Sequence, residues 1–298
     1  MISSMALETI GEALNRASLC LKKAGVQSSR TEADIILAYL LGIDRLRLLS
    51  DRDMILNRTI QRRFENAIER RCRHEPLAYI TGEKYFYGRP FQVTRDVLIP
   101  RPETEQIIEC ALDWRKQLST VHNNKIRAID LGTGSGIIAI TLMLELEGLE
   151  MWAVDISADA ISLARKNAGM YGVDNKFKWL QGSYLSALNA ITPKPVFNLV
   201  TANPPYLNDE DIKTLPREIK DYEPIGALSG GSDGLNGYRE ILEHLEAYIT
   251  RPFLLLLEIG ADQKDQVENL CRSTGLFESM IWHYDLAGWP RILEGRIG

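Results

Sequence analysis

The sequence predicts an α/β protein, in which a domain with a largely parallel sheet follows a small helical domain. From residue 126 onward, short apolar runs alternate with helical patterns, as in sheets whose parallel strands are joined by helices. Before residue 75, apolar residues recur at helical spacing. The chain has 298 residues, of which 45% are hydrophobic, so it is long enough to bury the cores of two moderate domains.

Three periodic stretches predict the helices of the N-terminal domain, residues 1–75. The first runs from residue 4 to 24 and ends at Gly25, and the second is closed by Gly42. The second begins with Ser29-Arg30-Thr31-Glu32, which has the form of a capping box. The third stretch covers residues 57–72.

A β-hairpin is predicted to link the two domains. Residues 78–94 are rich in strand formers, and Gly88-Arg89-Pro90 interrupts them as a turn would. We therefore assign residues 76–100 to the linker and residues 101–298 to the sheet domain. A helix is expected to begin at Pro102 and to reach about residue 118, followed by a polar loop over residues 119–125.

Seven strands are expected in the C-terminal domain. Each is a short run rich in apolar, β-branched or aromatic residues. The predicted strands cover residues 126–131, 151–155, 177–181, 197–202, 253–258, 279–284 and 291–296.

Composition narrows the class of function. The formal net charge of −5 and the pI near 5.6 argue against a protein that holds duplex DNA mainly by neutralising phosphates. No apolar run approaches the length of a membrane span and the first residues lack a secretory signal pattern, so we expect a cytoplasmic protein. The four cysteines lack the paired spacing of zinc sites, and no metal is expected.

A cluster of arginines lies near the end of the N-terminal domain. It consists of Arg62, Arg63, Arg70, Arg71 and Arg73. The cluster could face an acidic partner, although a solvated helix face is the commoner meaning of such a run of charge.

A glycine-rich turn follows the first predicted strand of the sheet domain. It comprises Gly132, Thr133, Gly134, Ser135 and Gly136 and precedes a helix. Its glycines therefore fall where the backbone turns tightly and a ligand approaches it closely. Ile137 stands where the dinucleotide fingerprint has its third glycine, which argues against NAD or FAD.

Asp155 stands at the end of the next predicted strand. At that place a carboxylate can accept hydrogen bonds from both ribose hydroxyls of a nucleoside. The alternative is that Asp155 only helps to cap the helix that Ser157 begins.

The tetrapeptide Asn203-Pro204-Pro205-Tyr206 comes directly after an apolar strand, where an open α/β sheet presents its ligands. An amide or aniline-like NH2 is a poor nucleophile because its lone pair is delocalised. We hypothesise that the Asn203 side-chain oxygen and the Pro204 carbonyl orient such an NH2, while Tyr206 packs on the planar acceptor. The alternative is an ordinary proline-rich turn.

Several segments together resemble a known family, the peptide chain release factor N(5)-glutamine methyltransferases, which are class I methyltransferases with an NPPY motif. The matching segments are Glu75-Pro76-Leu77, the run from Val97 to Glu105, the NPPY tetrapeptide, the run from Tyr222 to Leu235, Leu257-Glu258-Ile259-Gly260 and Asp285-Leu286-Ala287-Gly288. The resemblance covers nearly the whole chain from about Glu75, whereas the N-terminal domain matches in layout more than in motif.

The resemblance implies a class I fold, Rossmann-like, with seven strands of which the last is antiparallel. It also implies transfer of a methyl group from S-adenosylmethionine to the glutamine of the Gly-Gly-Gln loop of release factors, which the helical domain would help to dock. Nothing in the sequence demands more than a monomer, which is the state we expect. The glycine turn, Asp155 and Asn203 would bind the cofactor, and the residues from Asn203 to Tyr206 would hold the glutamine.

The chain departs from this family at the end of the third strand of the sheet domain. Ser183 occupies a place usually filled by aspartate, which puts the adenine contact there in doubt. Tyr184 stands where a bulky neighbour of the adenine is expected, although it could equally be a core residue.

Other readings remain open. Arg101 either reaches the cofactor or substrate, or belongs to a rigid helix entry between two prolines. The glycine-rich residues 229–234 predict a mobile flap or a plain surface loop. The rival substrate is an exocyclic amine of adenine or guanine in nucleic acid, and the rival class is a non-catalytic release-factor or ribosome-binding module.

Overall fold

The computed structural model describes residues 7–118 and 125–298, and within them the chain forms two compact units. The first comprises the residues up to Glu83 together with Pro216–Tyr222, and the second comprises Lys84–Leu215 and Glu223–Gly298. The predicted loop at residues 119–125 lies outside the described residues, apart from Lys125. So do residues 4–6 of the first predicted helix.

The first unit is helical. The helices in its N-terminal part, up to Glu83, are α1 (Ile10–Lys23), α2 (Ser29–Leu41), α3 (Arg47–Ser50), α4 (Arg58–Cys72) and α5 (Leu77–Thr81). Residues at helical spacing, such as Leu14 and Leu21 of α1, Ile36 of α2 and Phe64 of α4, are buried in one core. The three long helices therefore lie within two residues of their predicted bounds, apart from the start of α1.

The capping box is found on α1 and not on α2, so its prediction at Ser29 is wrong. Thr9 accepts a hydrogen bond from the Glu12 N–H, and the Glu12 carboxylate accepts one from the Thr9 N–H. On α2 the preceding residue, Ser28, makes no side-chain cap. The Glu32 carboxylate instead pairs with the buried guanidinium of Arg71.

A segment from far along the chain completes the first unit. Pro216–Tyr222 contains the short helix α10 (Arg217–Lys220), in which Glu218 accepts a hydrogen bond of 2.6 Å from Arg71. Tyr222 donates a hydrogen bond to the backbone oxygen of Arg73. Arg71, which the sequence analysis placed among the charges of an outer face, is thus buried between two glutamates.

The linker begins with a helical turn, so the strand predicted over residues 78–82 is wrong. The Tyr79 and Ile80 N–H groups both donate to the Pro76 oxygen, and Arg70 donates to the Tyr79 oxygen. The hairpin itself is present as β1 (Glu83–Phe86) and β2 (Arg89–Gln92). Both residues between the strands have positive φ, as a tight hairpin turn of this hand requires.

The second unit is built on one seven-stranded sheet. Its strands are β3 (Ile126–Leu131), β4 (Leu149–Asp155), β5 (Phe177–Gln181), β6 (Phe197–Ala202), β7 (Ile249–Glu258), β8 (Ser279–Tyr284) and β9 (Pro290–Ile297), in the order β5-β4-β3-β6-β7-β9-β8. β9 runs antiparallel to both of its neighbours, β7 and β8. The four pairings among the other strands, β5 with β4, β4 with β3, β3 with β6 and β6 with β7, are parallel. The predicted fold class, a seven-stranded class I methyltransferase sheet with its last strand antiparallel, is confirmed.

Helices cover both faces of this sheet. They are α6 (Glu105–Leu118), α7 (Ile137–Glu145), α8 (Ala158–Met170), α11 (Asn236–Leu245) and α12 (Lys264–Ser273). The short helix α9 (Asp209–Thr214) follows the NPPY segment and buries none of its residues. Alternate residues of β7 separate the two cores, because successive side chains of a strand point to opposite faces. Leu254 and Leu256 belong to the core with α6 and α7, whereas Leu255 and Leu257 belong to the core with α11 and α12. Among the described residues, no helix combines the length and hydropathy that crossing a membrane requires.

Candidate active site

A cavity of about 420 Å³ opens at the carboxyl ends of the parallel strands. Leu131 pairs with Val154 on one side and Ala202 on the other, so the turns that follow these three strands meet at one edge of the sheet. Residues that line the cavity include Arg101, Thr104, Gly132, Thr133, Gly134, Ser135, Asp155, Gly182, Ser183, Tyr184, Asn203, Pro205, Asn236, Gly237 and Glu240.

The glycine turn is built from left-handed backbone. Gly132, Gly134 and Gly136 all have positive φ, of 74°, 55° and 82°. The Gly132 and Thr133 N–H groups both donate to the Val154 oxygen at 2.9 Å, which ties the turn to β4. A Cβ on Gly136 would lie 2.8 Å from Cδ1 of Ile140, whereas one on Gly134 would meet no atom within 4 Å. Gly136 is thus required for packing, and Gly134 faces open space.

Asp155 holds the glycine turn from the end of β4. Its Oδ2 accepts a hydrogen bond of 2.8 Å from the Gly134 N–H, and its Oδ1 accepts one of 2.9 Å from the Ser157 N–H. Burial raises the pKa of Asp155, while these backbone donors lower it. The helix cap itself is the Ser157 hydroxyl, which accepts from the Ala160 N–H. Asp155 therefore both supports the helix start and borders the cavity.

Ser183, which follows the end of β5, contacts an acidic side chain of helix α11. The Ser183 hydroxyl donates to the carboxylate of Glu240 on α11, and both residues line the cavity. Tyr184 has a φ of 37°, a conformation that non-glycine residues rarely adopt. Burial raises the pKa of its hydroxyl group. Glu240 could not be predicted from the sequence, because only the packing of α11 against this turn brings it to the cavity.

The NPPY segment contributes two residues to the cavity wall. Asn203 and Pro205 line it, and Asn203 Nδ2 donates to the Thr104 hydroxyl at 3.4 Å. Pro204 is buried, and Tyr206 packs towards Gly260 and accepts a hydrogen bond at its backbone oxygen from Gln263. Neither Pro204 nor Tyr206 borders the cavity, so the roles given to them remain predictions.

The glycine-rich residues 229–234 are packed against the NPPY segment. The Leu207 N–H donates to the Leu228 oxygen, and the Gly230 N–H donates to the Leu207 oxygen at 2.8 Å. A Cβ on Gly230 would lie 2.6 Å from the carbonyl oxygens of both Pro205 and Gly234. Gly230 and Gly234 are buried. This close packing favours a fixed wall behind Pro205 over a mobile flap.

Arg101 is held at the cavity wall by a buried carboxylate. Its Nη2 lies 2.7 Å from Oε1 of Glu223, whose side chain is 2% exposed. Oε2 of Glu223 accepts a hydrogen bond from the Ile99 N–H. Pro102 begins a short 3-10 turn that leads into α6, so the helix-entry interpretation of Arg101 is confirmed. Arg101 also lines the cavity, and its contact with a cofactor or substrate stays a prediction. The pairing of Glu223 with Arg101 was not predicted from the sequence, because the two residues are more than a hundred positions apart.

A separate cluster contains the residue types that bind metals. One potential ligand atom each from Cys110, His283 and Glu294 lies within 4.8 Å of the others, and none of the three residues lines the cavity. The Glu294 carboxylate is engaged by His283 at 2.6 Å and by Arg296. Although burial opposes it, these two partners lower the pKa of Glu294. The contacts describe a hydrogen-bond network around Glu294 that includes one ion pair with Arg296, and the expected absence of a metal stays a prediction.

Comparison with known proteins identifies the family. Residues 12–82 match the family model described as the PrmC N-terminal domain, and residues 116–219 match the model described as the methyltransferase small domain. The release factor glutamine methyltransferase of Thermodesulfovibrio yellowstonii is 36% identical over 288 residues, covering 97% of this chain and 96% of the relative. That of Koribacter versatilis is 34% identical, covering 97% and 98%.

A solved structure shares the fold. The hMettl16 catalytic domain in complex with a 3'UTR hairpin has a TM-score of 0.52 and 14% identity, covering 82% of this chain and 84% of that one. At this identity the likeness concerns the fold alone. With relatives above 30% identity that match over nearly their full length, the chain belongs to the release factor glutamine methyltransferase family.

Proposed function

We propose that the protein transfers a methyl group from S-adenosylmethionine to the side-chain amide nitrogen of the glutamine in the Gly-Gly-Gln motif of peptide chain release factors. The observation that carries the proposal is that Asn203 and the glycine turn line the same cavity. A donor and an acceptor held there would be close enough for direct transfer. Family membership supports the choice of acceptor.

The residues of the cavity suit a nucleoside with a short charged tail. A volume of about 420 Å³ falls in the range of small-molecule sites. The open backbone at Gly134 and the carboxylate of Asp155 would hold the amino-acid and ribose parts of S-adenosylmethionine, with Asn203 close to the methyl group. Ser183, Tyr184 and Glu240 would surround its base. When bound, the cofactor supplies an electrophilic methyl group on a sulfonium.

The acceptor side has to orient a weak nucleophile. The lone pair of a glutamine amide is delocalised, so the nitrogen needs its two hydrogens held by acceptors. In our proposal these acceptors are Oδ1 of Asn203 and the backbone oxygen of Pro204, with Pro205 and Tyr206 shaping the pocket. The nitrogen becomes acidic after methylation and can release its proton to solvent, so no strong base is required.

The partner is a protein, and we place its docking on the helical unit. Arg62, Arg63 and Arg73 of this unit are exposed, and the Arg73 guanidinium lies 3.7 Å from the equally exposed carboxylate of Glu69. Arg70 and Arg71 are less accessible and are paired with glutamates. The three exposed guanidinium groups would suit an acidic face of the release factor. The proposal implies a cytoplasmic monomer that works without a metal.

Mass spectrometry of a release factor before and after incubation with the protein and S-adenosylmethionine tests this function. We expect one methyl group on the glutamine-containing peptide and none on a release factor whose motif glutamine is replaced by alanine. Samples of tRNA, rRNA and DNA, each treated in the same way, are tested as alternative methyl acceptors. Methylation confined to a nucleic acid would contradict the proposal and favour an exocyclic amine as acceptor.

A further inference from the structure

Glu258 lies directly behind the NPPY segment. It is the last residue of β7, and the preceding Leu257 pairs with Ala202, the last residue of β6. Asn203 and Glu258 therefore lie side by side at the carboxyl ends of two neighbouring parallel strands. Glu258 is not part of the cavity wall, whereas Asn203 is.

The carboxyl group of Glu258 is buried and incompletely satisfied. Glu258 is 3% exposed, and its Oε2 has no hydrogen-bond partner among the described residues. Tyr238 donates to the backbone oxygen of Glu258 at 3.0 Å and so leaves the carboxyl group available. Burying a polar atom without a partner costs free energy, which points to a use other than packing.

The groups around this carboxyl are known. The pKa of Glu258 is raised to about 7, chiefly by burial and to a smaller extent by the charge of Glu103. Hydrogen bonding by Thr104 and Asn203 and the positive charge of Arg291 act in the opposite direction and lower the pKa. Two tyrosines, Tyr206 and Tyr238, have their pKa values raised in part by Glu258. Thr104 and Asn203 are thus the neutral side chains that favour the ionised carboxylate.

The side chain of Asn203 needs such a neighbour. Rotation of an amide by half a turn exchanges its oxygen and its NH2 group, which differ little in shape. In the proposed reaction only Oδ1 helps, because an NH2 group would face the NH2 group of the glutamine. The hydrogen bond from Nδ2 to the Thr104 hydroxyl is long, at 3.4 Å, and a hydroxyl can donate as well as accept.

We propose that Glu258 is a positioning residue, whose carboxylate accepts a hydrogen bond from Nδ2 of Asn203 and so keeps Oδ1 turned towards the acceptor amide. A carboxylate can only accept, so it selects one of the two amide orientations. This inference rests on the proposed function, because only an acceptor with an NH2 group requires that orientation.

Protonation of Glu258 removes the selection. The neutral carboxyl group has a hydrogen to donate and can bind Oδ1 of Asn203, which turns Nδ2 into the cavity. The rate of methyl transfer should therefore fall as the pH falls through about 7, the pKa of Glu258. Arg291 and Glu103 oppose each other in setting this value.

Kinetics of Glu258→Gln test the proposal. Glutamine keeps the size of the side chain but, like the protonated acid, can donate. We expect kcat to fall about 10-fold to 100-fold, an unchanged KM for S-adenosylmethionine, and a pH profile without the loss of rate near pH 7. Glu258→Asp, which keeps an acceptor-only group, should retain the pH dependence and more of the rate. A wild-type kcat and pH profile in Glu258→Gln would overturn the proposal.

Glu294→Gln is the matched control. Glu294 is also a buried glutamate, on the adjacent strand β9, but its partners are His283 and Arg296 and it lies outside the cavity. Its replacement should lower the melting temperature without altering the pH profile of kcat. If Glu294→Gln reproduced the altered profile, a general effect on the fold would replace the positioning role.

An NMR titration separates this inference from the proposed function. The side-chain amide signals of Asn203, assigned by their loss in Asn203→Ala, should shift as the pH crosses about 7 in the wild type and stay in place in Glu258→Gln. This readout does not depend on the acceptor. If the shift were present but the release factor stayed unmethylated, the proposed function would fail while the contact stood, and an unshifted wild-type signal would refute the contact.

Discussion

The two halves of the cavity are stabilised by contacts of different range along the chain. In the donor half, the Gly134 N–H donates to Asp155 across 21 positions, between turns that follow adjacent strands. In the acceptor half, Asn203 contacts Thr104 across 99 positions. A binding turn can thus be encoded largely by its own glycines, whereas the orientation of one reactive amide depends on residues from remote elements.

The largest effect is expected in the acceptor half. Asn203→Ala removes one of the two proposed acceptors and should lower kcat for release factor methylation by at least about 100-fold. Binding of S-adenosylmethionine, measured by calorimetry, should change much less. Asn175→Ala, at an exposed asparagine in a turn away from the cavity, is the control. Near wild-type turnover in Asn203→Ala would remove this role for Asn203.

The donor half should respond in the opposite way. Asp155→Asn removes a charged acceptor from the Gly134 and Ser157 N–H groups and from the proposed ribose contact. We expect the affinity for S-adenosylmethionine to fall about 10-fold to 100-fold, the loss typical of hydrogen bonds to a charged group. Asp159→Asn, at an exposed residue of α8, should bind as the wild type does. Equal affinities in calorimetry would refute the ribose contact.

Within the glycine turn, two substitutions should separate packing from binding. Gly136→Ala places a Cβ 2.8 Å from Ile140 and also strains a backbone of positive φ, so it should reduce the free energy of unfolding by about 2–5 kcal/mol. Gly134→Ala meets no atom and should cost only the strain of its positive φ, about 1–2 kcal/mol, while its methyl group enters the cavity. Chemical denaturation and calorimetry on the same samples would show whether the orders of stability and affinity differ.

The smallest effect concerns the departure at Ser183. Ser183→Asp restores the residue usual in the resembled family, but here it would set a second carboxylate beside Glu240. We expect the binding free energy of S-adenosylmethionine to become about 1 kcal/mol less favourable, because the two carboxylates repel each other. In a Glu240→Gln background the same change should be tolerated or favourable. Tighter binding of the single variant would show that the Glu240 carboxylate does not oppose an aspartate at this position.

Local pattern was sufficient for most of the fold. The predicted bounds of β3, β5, β6 and β8 agree with the structure, because apolar runs between turn residues fix strands through short-range preferences. The errors fell where a side-chain partner outside the local pattern intervened, 39 positions away for Glu32 and nine positions away for Tyr79. Glu32 pairs with Arg71 instead of capping α2, and Arg70 binds the backbone at Tyr79, which is helical despite its strand-forming side chain.

The sequence by itself determined the three long N-terminal helices, the seven strands of the sheet, the glycine turn, the acidic end of β4 and the NPPY segment, since each is a pattern of neighbouring residues. Only the tertiary structure decided which side chains stand behind that pattern. Glu223 beside Arg101, Glu240 beside Ser183 and Glu258 behind Asn203 are contributed by other elements. Their spacing along the chain carries no period, because the contacts arise only when the strand ends and helices pack together.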